Sequence, residues 1–224
     1  MNYLVVGKNG SGKSYFCVKI TKEFVDQNKV NLSGNSVSYS KNYEFLRDRD
    51  YEQLFVDFSQ TLELLKPDNP KVYAPYETPE QLQVDFALFI HFEDEIDFND
   101  YFRMHIIYND FLKFVSKIHE FKFEFLKPVH KIYSDINGIK IETVEPSPED
   151  WRTAPLGSKI FYDEFQDRPE YLFDGNKPSK NPMILELSKI RHYDIDLYLI
   201  TPDSENLHKS LRKIVHVMYF VKRP

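Results

Sequence analysis

The chain has 224 residues and a formal net charge of −6, with 42% apolar and 29% charged residues. Those proportions fit a soluble globular protein and exclude a disordered one. One cysteine, Cys17, excludes an internal disulfide and points to a reducing compartment. No run of about 18 apolar residues occurs, so a transmembrane helix is excluded within these residues, and residues 1–6 are too short for a signal-peptide core. The charge is uneven: residues 44–126 hold 18 Asp/Glu against 8 Lys/Arg, while the remainder is mildly basic. The acidic middle would repel a phosphate backbone, which argues against nonspecific nucleic-acid binding there.

In chain order, Tyr3-Leu4-Val5-Val6 reads as a buried parallel strand, and a helix follows over 13–27, with Cys17 packed inside it. Between them lies Gly7-Lys8-Asn9-Gly10-Ser11-Gly12-Lys13-Ser14, the spacing of a phosphate-binding loop. Residues 28–43 are rich in Asn, Ser and Gly and read as a loop. Helical periodicity returns over 44–65 and stops at Pro67; four prolines then make 67–79 an irregular connector. Thr78-Pro79-Glu80-Gln81 predicts a capped helix start, with Gln81 reaching back, and a further helix runs from about Asn99 to Phe125. His91, His105 and His119 share this region with Glu93, Asp94, Glu95 and Asp97, but no tight His-x-x-x-His or His-Glu-x-x-His pair marks a metal site.

After Pro128 the period falls to two. Lys131–Ser134 and Gly138–Thr143 flank Asp135-Ile136-Asn137, which predicts a hairpin turning at Asn137-Gly138. A connector leads to Trp151, the only tryptophan, and Lys159–Tyr162 is a short strand. A helix over 181–190, a buried strand over 197–200, a helix over 205–213 and a strand over 215–221 complete the chain. It stops abruptly at Val221-Lys222-Arg223-Pro224, in the manner of a trimmed chain. The expected fold is α/β, a P-loop NTPase with a mainly parallel sheet flanked by helices and interrupted by an acidic helical insertion at about 44–126.

The loop spacing has a chemical purpose. A triphosphate needs a concave set of backbone N–H donors, which bulky side chains at Gly7, Gly10 and Gly12 would block. Lys13 supplies a point charge for the β- and γ-phosphates, and Ser14 offers a hydroxyl to Mg²⁺. Lys8, Asn9, Ser11 and Tyr15 complete the expected ATP-contacting set. Ile160-Phe161-Tyr162-Asp163-Glu164 has the form of a Walker B strand, an apolar run that delivers two carboxylates. Asp163 would serve the Mg²⁺ shell and Glu164 would polarise the attacking water. Thr201, at the end of the 197–200 strand, is either a phosphate sensor or a turn hydroxyl before Pro202. Arg191 and Arg212 are the candidates for an arginine acting across a subunit interface.

Two longer stretches narrow the reading. Asp150-Trp151-Arg152-Thr153-Ala154-Pro155-Leu156-Gly157-Ser158, running into Ile160–Gln166, resembles the zonula occludens toxin (Zot) family, which includes the gene I assembly proteins of filamentous phages. So does Arg191-His192-Tyr193-Asp194-Ile195-Asp196 running through Thr201, with Asn206–Arg212 after it. The resemblance covers 1–27 and about 130–223, and it departs at Pro202, where the family commonly places Gln. It implies an ATPase on the cytoplasmic face of the host inner membrane, anchored by a transmembrane segment absent from this chain. It also implies an oligomeric ring that works with phage assembly and coat proteins, and with phage DNA, to extrude virions. A second reading is a nucleotide-gated adaptor that docks phage or host assembly proteins through its acidic insertion, hydrolysis being incidental. A small-molecule kinase would share the loop but needs an arginine-rich lid, and 44–126 holds only Arg47, Arg49 and Arg103.

Overall fold

The structure is a computed structural model that describes residues 1–91, 98–168 and 181–222. It divides into two units, Met1–Asp26 with His130–Pro224, and Gln27–Val129. The division falls inside one long helix, α1 (Lys13–Arg47).

The first unit is built on a parallel sheet of six strands. In chain order these are β1 (Asn2–Val6), β2 (Ile132–Ser134), β3 (Val144–Glu145), β4 (Lys159–Tyr162), β5 (Asp196–Thr201) and β6 (Val217–Phe220). Their spatial order is β3-β2-β4-β5-β1-β6, and every pairing is parallel. Side-chain alternation sorts the strands into two cores. Leu4, Val6, Ile160, Tyr162, Leu197 and Leu199 join Trp151, Phe165, Leu187 and Leu211 on one face. Val5, Phe161, Tyr198 and Ile200 join Cys17 and Val25 of α1 on the other. Both faces are covered, which is why these strands read as continuous apolar runs. Across the centre, Tyr198 stacks on Tyr3 at 4.5 Å and on Phe161 at 4.4 Å, a ring ladder over three strands in register. The fold is therefore α/β with a parallel sheet flanked by helices, as a P-loop NTPase requires.

The Trp151 motif has a packing explanation. Asp150 caps a short helical turn by accepting from Arg152 N, and it pairs with the Arg152 guanidinium at 2.6 Å. The turn buries Trp151 fully, and its indole N–H donates to Met183 O at 3.1 Å. Nearby, Lys159 and the N-terminal ammonium both pair with Asp196, at 2.6 and 2.8 Å. His130 lies beside them with Nδ1 2.7 Å from Gly157 O. Burial, helped by the Lys159 cation, pushes its imidazole down to about 4. The unfolded chain takes up that proton near pH 6.5, so it binds more protons than the folded state between about 6.5 and 4. Stability should therefore fall on the order of 2–3 kcal/mol across that window. Urea midpoints measured from pH 7 to 4.5 should show the slope, and His130→Asn should flatten it.

The second unit packs the distal part of α1 with α2 (Tyr51–Ser59), α3 (Leu62–Leu65), α4 (Pro70–Tyr73), α5 (Pro79–His91) and α6 (Phe98–His119). Its core is aromatic: Phe55 stacks on Phe86 at 3.5 Å, and Phe111 meets Phe55, Phe58 and Phe86 edge-on. Gln81 Oε1 accepts from Glu77 N and Thr78 N, as the capping signature at the start of α5 predicts.

Four sequence expectations are corrected here. Residues 28–43 are helical, not a loop. Asn28, Asn31, Asn35 and Asn42 lie on the buried stripe that Cys17, Thr21 and Val25 begin. The amides of Asn31, Asn35 and Asn42 serve the chain 120–129: Asn35 accepts from Lys127 N at 2.7 Å and donates to Lys127 O at 2.8 Å, and Asn42 treats Glu124 likewise. Asn31 donates to Pro128 O, and Asn109 of α6 closes both groups of Leu126. Side-chain amides thus take the place of a neighbouring strand. The helix read over 44–65 is broken at 48–50, where Asp50 adopts φ 50°. The helix read to Phe125 ends at His119, where Glu120 takes φ 50°. The predicted hairpin is not antiparallel: Gly138 does turn the chain at φ 81°, but β3 pairs parallel to β2 and begins only at Val144. The second unit spans 27–129, and the expected insertion at about 44–126 lies within it.

Of the histidines, His105 is buried edge-on to Phe102 and His119 faces Phe45. The His91 side chain and residues 93–97 lie outside the described residues. Among the described residues, no helix is long and apolar enough to cross a membrane.

Candidate nucleotide site

A parallel sheet presents its functional edge at the carboxyl ends of its strands, and the first unit follows that rule. β1 ends at Val6, and Gly7–Gly12 loop directly into α1. Gly10 and Gly12 take φ 74° and 94°, which only glycine adopts without strain. Gly7 is required for a different reason. A Cβ there would stand 2.3 Å from Val221 O and 2.5 Å from Ser11 Oγ. Ser11 Oγ is itself buried with no hydrogen-bond partner among the described residues. An orphaned hydroxyl within a glycine-lined concavity fits a phosphate acceptor.

Lys13 is 6% exposed, and its ammonium donates to Gly7 O at 2.8 Å, so the loop holds its own cation inward. Ser14 Oγ donates to Asp163 Oδ2 at 3.1 Å. The two residues expected to share a Mg²⁺ shell, 149 positions apart, are thus in direct contact. Their hydroxyl and carboxylate oxygens are the hard donors that Mg²⁺ takes. Asp163 is half-buried, and burial raises its carboxyl above the usual range, with Glu164 and Asp135 adding like charge. Hydrogen bonds from Glu164 N and Ser14 work the other way.

Glu164 follows in a left-handed conformation, φ 42° and ψ 48°, which costs a non-glycine residue about 1–2 kcal/mol. The bend leaves its carboxylate exposed, held by Gln166 Nε2 at 2.5 Å. Strand order then places Thr201. β5 lies between β1 and β4, and Thr201 is in register with Val6, so its residue stands between the loop and the acid pair. Its buried hydroxyl donates to Asp203 O at 3.0 Å and closes the turn after Pro202.

Arg191 and Arg212 do not line this edge. Arg191 sits in the 3-10 turn that precedes β5, at the opposite end of that strand. Arg212 lies within α7 (Lys209–Ile214), with Nε buried and lacking a partner among the described residues. Tyr15, the last residue of the expected set, is 79% exposed.

Two residues here escaped the sequence reading. Asp135 Oδ1 accepts from Asp163 N at 2.5 Å, and Asp135 Oδ2 pairs with Arg168, whose guanidinium lies 4.0 Å over the Tyr162 ring. The expected hairpin had placed Asp135 in a turn. The signal that marks it is the one that marks Asp163: an apolar strand, Ile132-Tyr133-Ser134, ending in a carboxylate.

Beside the loop opens a cleft of about 570 Å³, lined by residues 6–11 and by Pro202, Phe220, Val221 and Lys222.

No family model and no curated protein matches this chain. Among solved structures, the N-terminal domain of zonular occludens toxin from Neisseria meningitidis is similar over 41% of this chain, at 22% identity and a TM-score of 0.35. The matched region spans 57% of that domain, less than two thirds of its length.

Proposed function

We propose that the chain is a Mg²⁺-dependent ATPase. The observation that carries this reading is the 3.1 Å contact between Ser14 and Asp163, which joins the glycine loop to the acid pair. When bound between those two residues, Mg²⁺ would supply neutralising charge to the β- and γ-phosphate oxygens. The chain's own residues do the rest. Backbone N–H groups of Gly7–Ser14 cradle the phosphates, and the positive end of α1 adds its field. Lys13 exchanges Gly7 O for phosphate oxygen and stabilises the charge that grows on the γ-phosphoryl group. Asp135 and Arg168 hold the backbone at Asp163. Glu164, exposed and aimed by its left-handed bend, accepts a proton from the attacking water.

The larger role rests on the resemblance of Asp150–Gln166 and Arg191–Arg212 to the Zot family. The chain acts as the motor domain of a filamentous-phage assembly and export machine at the cytoplasmic face of the host inner membrane. It works as a ring of copies, with other phage assembly and coat proteins and with phage DNA, tethered by a membrane segment beyond these residues. An arginine from a neighbouring copy, Arg191 or Arg212, completes each site.

Lys13→Ala tests the core of the proposal. Removing a charged hydrogen-bond donor should weaken ATP binding roughly 10- to 100-fold in calorimetry with Mg²⁺. Circular dichroism would verify the fold. An unchanged affinity would sink the nucleotide reading, and unchanged virion release from host cells carrying the substitution would sink the motor reading.

A further inference from the structure

The strand order gives the site a direction. β4, with Asp163 and Glu164, lies on one side of β1 and is separated from it only by β5. β6 lies on the other side. Ser14 and Asp163 mark the end where the γ-phosphate belongs, so a nucleotide stretched along the loop carries its sugar and base toward β6. That is where the 570 Å³ cleft opens.

The chain past β6 stays close to the loop. Val221 N donates to Val6 O at 2.8 Å, and Val221 O stands where a Cβ on Gly7 would have to go. Phe220 is therefore held at the mouth of the cleft, yet it is 70% exposed. An exposed phenylalanine on a strand end is unusual beside the ring ladder, where Tyr3, Tyr198 and Phe161 bury their rings against one another. Pro202 faces the same space from the end of β5, and Lys8 and Lys222 bring positive charge to its lining. Flat apolar groups with cations nearby are the chemistry of an anionic ligand that carries an aromatic ring.

We infer that this cleft is the nucleoside pocket, in which Phe220 and Pro202 hold the purine base of the nucleotide whose phosphates occupy Gly7–Ser14. The inference rests on the nucleotide reading above. It adds a residue that no motif in the sequence marks.

Calorimetry with two probes separates the parts. The full chain is titrated with ATP and with inorganic tripolyphosphate, each with Mg²⁺, for the unsubstituted protein, Phe220→Ala, Phe220→Tyr and Lys13→Ala. Base stacking on an aromatic side chain predicts that Phe220→Ala weakens ATP binding roughly 10- to 100-fold. Tripolyphosphate affinity should stay within about twofold, Phe220→Tyr should retain ATP, and Lys13→Ala should weaken both probes. The exposure of Phe220 means that the alanine variant should keep its melting temperature. Equal ATP affinity in Phe220→Ala, or a matching loss of tripolyphosphate, would overturn the pocket while leaving the loop standing. An effect of Phe220→Ala confined to self-association would instead make it a contact between copies, and would also overturn the pocket. Failure of the unsubstituted protein to bind either probe would overturn the phosphate loop and the pocket together.

Discussion

Glu164→Gln should leave ATP binding within about threefold of the unsubstituted protein while cutting turnover by about two to three orders of magnitude, the usual worth of a positioned general base. The separation follows from geometry. The Glu164 carboxylate is exposed, bonded only to Gln166 among the described residues, and lies one position beyond the Asp163–Ser14 contact. Its amide also leaves Asp163 Oδ1 paired with Glu164 N, because that bond uses the backbone. Single-turnover kinetics on the assembled protein, with ATP affinity measured in parallel, reads both quantities. A variant that loses affinity and turnover alike would reassign Glu164 to binding, and one that keeps full turnover would remove it from the chemistry.

Asn35→Leu should destabilise the second unit by about 2–4 kcal/mol, since it leaves the N–H and C=O of Lys127 without partners. Helix propensity pulls the other way, because leucine is the better helix former by about half a kcal/mol, too little to offset the loss. The site is 1% exposed, so water cannot replace the amide. Ser40→Ala is the internal control: its hydroxyl only returns to Ser36 O on an exposed face, and its cost should be near zero. Urea unfolding of both variants measures the contrast. A cost at Asn35 no larger than at Ser40 would mean that the amide ladder contributes nothing net.

The parts of the molecule legible in the sequence are those in which one local pattern has one physical cause. Gly7–Ser14 reads as a loop because its φ angles and its clearance from Val221 demand glycine. The strands β4 and β5 read as buried because both faces of the sheet are covered. What escaped depends on distant partners. An Asn-rich stretch looks like a loop when its amides are assumed to seek their own backbone, whereas those of α1 bond a chain segment some ninety residues away. Asn137-Gly138 does turn, but the alternation on either side concealed the parallel pairing of β2 with β3 on one side and with β4 on the other. Asp135 was lost with it, since its place beside Asp163 exists only when β2 and β4 run in the same direction.

The position of β1 also governs when the site can come into being. Its two neighbours are β5 and β6, and the contact between Met1 and Asp196 joins residues 195 apart. Closing so long a segment is slow, because its entropy must be lost before any pairing rewards it. During synthesis β1 leaves the ribosome before both of its partner strands and remains unpaired while the helical unit, whose contacts are largely its own, is made and ordered. Gly7–Ser14 cannot hold its shape in that interval, because Val6 and Gly7 are fixed by Thr201, Phe220 and Val221. If the loop binds nucleotide as proposed, the nascent chain could not capture it until the sheet closes, and ligand capture would report that folding has finished.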